Sequence, residues 1–161
     1  MLTLPLCATD MCIYKRPSLE GKTEIMTLTK ENRIVDERPE KLLEDTLTYF
    51  GSNIKTRKQS VKILTGQAHH LPIMIEASLE WIYYPIHQKK THFQLYINPK
   101  MIYHFEGNKE KSIIYFVNNE SIEIPQHISF IQKQHQKALV LADLQMKIIK
   151  RQLHLSNYRL D

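Results

Sequence analysis

Four cations, Lys55, Arg57, Lys58 and Lys62, crowd a short stretch that meets no acidic residue before Glu76. Such a cluster can hold a polyanion. Lysine ammonium groups anchor phosphates without reading bases, whereas the planar, weakly hydrated guanidinium of arginine fits a narrow groove of negative potential. Gly51, Ser52 and Asn53 stand just before the cluster. Glycine lets the chain reverse sharply, and the two short polar side chains can hydrogen-bond the reversed backbone. The pattern therefore predicts a loop over 52–59 from which Lys55, Arg57 and Lys58 project. His69 and His70 follow. On a predicted strand, neighbouring side chains point to opposite faces, so this pair does not readily share one metal ion. One exposed and one half-buried histidine is the plainer expectation, and a place beside phosphate is the second.

The elements that must position these groups are predicted from periodicity. Pro39 to Phe50 reads as a short helix, with proline at its first position, Leu43, Leu47 and Phe50 on one face, and Gly51 placed as the left-handed residue beyond its end. Thr23 to Thr29 alternates as a strand. After the helix the period changes to two. Val61 and Ile63 alternate, and Thr65-Gly66-Gln67 turns. Leu71 to Ile75 and Leu79 to Tyr84 are apolar runs, and Phe93/Leu95/Ile97 and Met101/Tyr103/Phe105 alternate. Ser112 to Val117 and Ser121 to Ile124 flank an Asn118-Asn119-Glu120 hairpin turn. From about Ser129 to Leu155 the pattern is helical. One stripe holds Leu141, Leu144 and Ile148, and another holds Leu139, Ala142, Met146, Ile149 and Leu153. The expected fold is one α+β domain over residues 1–161: an antiparallel β-meander, a short helix at about 39–50 and a long C-terminal helix at about 129–155. The long helix is expected to pack across the sheet, with a dimer interface on its second stripe as the alternative.

Composition fits a folded domain, at 42% apolar and 24% charged residues with a formal charge of +5. The charge is concentrated. Residues 46–105 carry seven Lys/Arg against two acids, Glu76 and Glu80, and hold five of the eight histidines. A concentrated basic region favours an anionic partner, because each phosphate contact releases condensed counterions. Cys7 and Cys12 lack the paired spacing of a metal site and fit a reducing cytoplasm. The opening MLTLPLCA lacks the basic residues and the apolar length of a signal peptide, and no stretch approaches a membrane span. Nucleotide-binding glycine loops, GxSxG and HExxH are absent. Neither an enzyme nor a cofactor is expected. The histidine-rich middle keeps a small metal protein as the lowest-ranked reading. Helix-turn-helix, zinc-finger and basic-zipper patterns are also missing, so DNA would be held by a loop and a sheet edge.

YFGSNIKTRKQ, HHLPIMIEASLEWIYYP, YINPKMI and IIYFVNNESIEIP, with Gln134 and Ala138-Leu139 at the start of the last helix, resemble the competence transcription factor (ComK) family of Gram-positive bacteria. The resemblance covers roughly residues 10–150 and is weaker towards the N-terminus. It implies a cytoplasmic, nucleoid-associated activator of DNA-uptake and recombination genes. Such an activator binds paired AT-rich boxes of double-stranded DNA mainly through the minor groove, bends them, and self-associates as dimers and tetramers. It also implies contact with RNA polymerase. Phe50, Gly51, Ser52 and Arg57 belong to the shared motif, and Pro72 and Pro85 lie in its HxLPIM and aromatic-Pro segments. The expected DNA-binding set is Ser52, Asn53, Lys55, Arg57, Lys58, Lys62, His69 and His70. Departures include Gln94-Leu95-Tyr96-Ile97 where relatives have a Cys-Gly-Trp-Ile-like entry, and Asn53 in place of a second serine. Relatives can carry a longer C-terminal part used in adaptor-mediated proteolysis, which leaves a proteolytic adaptor open as a partner. The alternative function is a non-activating paralogue that pairs with a full-length relative.

Overall fold

The computed structural model describes residues 4–15, 17–88 and 92–159, with side chains described as far as residue 155. The first three residues of the MLTLPLCA opening lie outside this set. Met11-Cys12-Ile13-Tyr14 is apolar throughout, and every one of these side chains is buried. The run forms β1 (Asp10–Lys15), a central strand covered on both faces. A strand buried on both faces shows no alternation, which is why the period-two signal passes over it. β2 (Thr23–Thr27) and β3 (Arg33–Val35) follow β1 as an antiparallel meander. β4 (Ile73–Glu76), β5 (Trp81–Gln88) and β6 (Phe93–Ile97) form a second meander. The two join through the antiparallel pair β1–β6, giving a six-stranded sheet in the order β3-β2-β1-β6-β5-β4. β7 (Ile102–Gly107), β8 (Ser112–Phe116) and β9 (Ser121–Ile124) make a separate three-stranded meander.

The expected short helix is α1 (Pro39–Tyr49), with proline at its start. Its Leu42, Leu43 and Leu47 pack on Ile13, Ile25, Ile73, Trp81, Tyr83 and Tyr96, one face of the six-stranded sheet. The opposite face presents Tyr14, Met74, Ile82, Tyr84 and Leu95. These meet Ile114, Phe116 and Ile124 of the smaller sheet and Ile131, Ala138 and Leu141 of α3 (Ile128–Arg159). The layers are thus α1, the large sheet, and the small sheet with α3. The α+β class, the short helix, the long C-terminal helix packed across a sheet and the Asn118-Asn119-Glu120 turn all match expectation. In that turn Asn119 has φ +73°, and Asn118 Oδ1 accepts the Glu120 N–H at 3.0 Å.

One expectation is overturned. The segment predicted as a cationic loop followed by an alternating Val61/Ile63 strand is a helix, α2 (Ile54–Thr65). It lies beside edge strand β4 and buries Val61 completely. That burial is worth about 2 kcal/mol. Ile63 is 83% exposed, so its apparent alternation with Val61 is a coincidence of composition.

Candidate nucleic-acid interface

Two capping motifs set the position of α2. At the end of α1, Gly51 takes φ +69°; its N–H donates to the Thr48 carbonyl at 3.0 Å, and the Ser52 N–H donates to the Leu47 carbonyl at 3.0 Å. This is a Schellman closure, and the positive φ explains the glycine. Asn53 then caps the next helix. Its Oδ1 accepts the Thr56 N–H at 2.8 Å, and Glu44 of α1 accepts the Ile54 N–H at 3.1 Å. Gly66, at φ +72°, ends α2. Ser52 and Asn53 therefore serve the corner between two helices, and Phe50 packs edge-on against Trp81 at 5.8 Å.

Helical spacing separates the four cations. Lys55, Lys58 and Lys62 lie on one exposed side of α2. Arg57 faces the other way. Its guanidinium donates from Nη2 to the Ile75 carbonyl of β4 at 3.0 Å, at the irregularity between Met74 and Glu76. Its Nε is buried and finds no hydrogen-bond partner among the described residues. Burial pulls the Arg57 pKa down, and nearby Glu76 opposes that shift. Arg57 thus ties α2 to the outermost strand instead of projecting from a loop.

His69 and His70 occupy a turn ahead of β4 rather than a strand, with His70 at φ +50°. The turn is fastened to α3. Gln134, almost wholly buried, donates from Nε2 to the His70 carbonyl at 3.1 Å and to the Pro85 carbonyl at 3.3 Å. Pro85 lies in β5 beyond the reach of the shorter β4, so its carbonyl is free for this bond. Lys137 Nζ sits 3.5 Å from the His69 carbonyl, and the His70 ring packs edge-on against Phe130 at 5.4 Å. A pocket of about 350 Å³ opens between α2 and this turn. Lys58, Lys62, His69 and His70 border it, with Pro72 just outside, and His87, Pro85 and Tyr96 line its inner wall. Both histidines are exposed; partial desolvation first, then repulsion from Lys137 and His69, holds the His70 pKa below its usual value. His87 is lowered by burial above all. Lys137 is lowered by burial and by Lys133.

The family-model comparison matches residues 6–152 to the ComK protein family. The chain belongs to the ComK family. No curated protein and no solved structure matches it. Membership points to a competence-related transcription factor, and the ComK family is not an enzyme family. The matched span contains α2, the 69–70 turn and most of α3, so the whole cationic face falls within the family region.

Among the described residues no group of three or more His, Cys, Asp or Glu side chains is placed to hold a metal ion, and no helix is long and apolar enough to cross a membrane. Cys7 and Cys12 form no disulfide. The structure adds residues to the candidate interface that sequence patterns leave out. His87 stands in a strand and shows no local signal. Lys133 and Lys137 read as two more charges around a long helix, and only docking of α3 brings them beside the histidine turn. A signal for α2 does exist in the sequence: Asn53 as cap and Gly66 as terminator bracket a helix-length segment.

Proposed function

We propose that the chain is a DNA-binding activator of competence genes that holds AT-rich boxes on the face built from α2, the 69–70 turn and α3. The observation that carries this reading is convergence. Lys58 and Lys62 of α2 border the same pocket as His69 and His70, and Lys137, with Lys133 close enough to repel it, reaches the far side of that turn. Two acids of α1 are each engaged: Glu40 accepts from the Tyr96 hydroxyl at 3.4 Å and Glu44 caps α2. Six cationic or titratable groups from three elements therefore share one surface with few counter-charges. Lys55 extends the row along α2.

Lysine and histidine contacts position a duplex through its phosphates. Preference for AT-rich sequence then comes from groove shape and deformability, because the minor groove distinguishes A·T from G·C and little else. Paired boxes imply two copies of the chain, hence dimers and tetramers on bent DNA, acting in the cytoplasm with RNA polymerase. Arg57 contributes by holding α2 in place. Binding of a paired AT-box duplex across a salt series tests the reading. About four phosphate contacts predict roughly a 100-fold loss of affinity between about 50 and about 200 mM salt. A GC-substituted duplex is expected to bind more weakly at every salt. A flat salt response would remove the proposal.

A further inference from the structure

The pocket beside α2 is a concave feature within the cationic face. It holds about 350 Å³, which admits a phosphate group with its attached sugar atoms but not a duplex. Its groups come from every element packed around it. α2 supplies Lys58 and Lys62, the turn supplies His69 and His70, β5 supplies His87, and β6 supplies Tyr96. α3 approaches the turn through Lys137, and α1 brings an acid, Glu40, which is bonded to the Tyr96 hydroxyl. Gln94, opposite His87 across the β5–β6 pair, is neutral.

We propose that this pocket is a single-phosphate subsite, in which Lys58 and Lys62 supply positive charge and His70 takes up a proton as the phosphate enters. The proposal rests on the DNA reading only for its natural ligand, a backbone phosphate; the pocket chemistry is separate. Lys58 and Lys62 are exposed at the rim. His87 plays a different part. Its Nδ1 lies 3.4 Å from the Leu95 N–H, which presents that nitrogen as an acceptor and leaves Nε2–H as a donor for the phosphate. His70 is held in place through its backbone by Gln134, with its ring against Phe130. Its geometry therefore does not depend on its charge.

The sign of the pH dependence follows. Partial desolvation, Lys137 and His69 all favour the neutral His70 ring. A phosphate in the pocket adds negative charge and reverses that preference, so the complex binds more protons than the free protein. Affinity then rises as pH falls through the range in which His70 is neutral when free and protonated when bound. Glu40 weakens anion binding somewhat, but its hydroxyl partner and the surrounding cations limit the effect.

Two arms test the subsite on the full chain. In the first, ring-resolved NMR titration follows each histidine with and without inorganic phosphate, against chloride at matched ionic strength. The His70 midpoint is expected to rise by about one pH unit, and Lys58→Met is expected to abolish most of the rise. In the second, an AT-box duplex is titrated at about pH 8 and about pH 6, with an expected three- to tenfold tightening at the lower pH. His70→Asn, which suits the positive φ, removes this pH dependence while preserving the turn. A His70 midpoint unmoved by phosphate overturns the subsite outright. A duplex that binds with no pH dependence also overturns it, while leaving DNA recognition intact. A raised His70 midpoint with no duplex binding keeps the phosphate site and sinks the DNA reading.

Discussion

α2 separates two grooves of opposite character. On one side, towards α3, lies a groove of about 540 Å³ lined by Ile63, Leu64, Ile148 and Ile149, with Arg57 and Glu76 at its floor. On the other lies the smaller cationic pocket of Lys58, Lys62 and the histidines. Arg57 and Lys58 are neighbours in sequence, yet one is half-buried on a strand carbonyl and the other stands free at a pocket rim. Net charge alone would treat them as equivalent. A rotation of about 100° per residue turns one onto the sheet and the other towards the pocket.

The strongest challenge to that contrast is charge reversal at the pocket rim. Lys58→Glu combined with Lys62→Glu is expected to weaken duplex binding by about 100-fold at moderate salt, with circular dichroism and urea midpoint near those of the parent. Fluorescence anisotropy reads the affinity. Retained binding would move the interface elsewhere. Next in size is Arg57→Met, which strips the Ile75 carbonyl of its donor. It is expected to cost about 1–2 kcal/mol in urea unfolding, while the affinity of the folded fraction changes less than threefold. An affinity collapse without destabilisation would instead make Arg57 a direct DNA contact. The smallest effect is expected at Ile63→Ser on the apolar side. With that side chain already exposed, stability should stay within about 0.5 kcal/mol and duplex affinity should be unchanged.

Much of this fold was legible because local chemistry and global structure agree. Pro39 and Gly51 bracket α1 as their backbone preferences demand, and the Asn118-Asn119-Glu120 turn forms as expected. Two failures share a physical cause. β1 hides because both of its faces are covered, and α2 hides because its covered side is thin: Val61 is its only fully buried residue, with Ile54 and Leu64 partly buried. β1 has no wet face, and the dry side of α2 includes Arg57 and Ser60 beside Ile54, Val61 and Leu64, so its apolar stripe is interrupted. The candidate site was half legible. The cations of α2 and the paired histidines were visible as a run, but their sorting by helical phase was not, nor were the contributions of His87, Lys133 and Lys137. These last come from packing between distant segments, which composition does not encode.

Gln134 has one further consequence. The amide rivets α3 to the histidine turn and to β5 using neutral hydrogen bonds alone. Dissolved ions screen charges and leave such a joint nearly untouched. The wall of the cationic pocket should therefore keep its shape in brine strong enough to strip away a polyanion. Release of DNA would then be a purely electrical event, reversible on dilution, with no need to rebuild the protein each time.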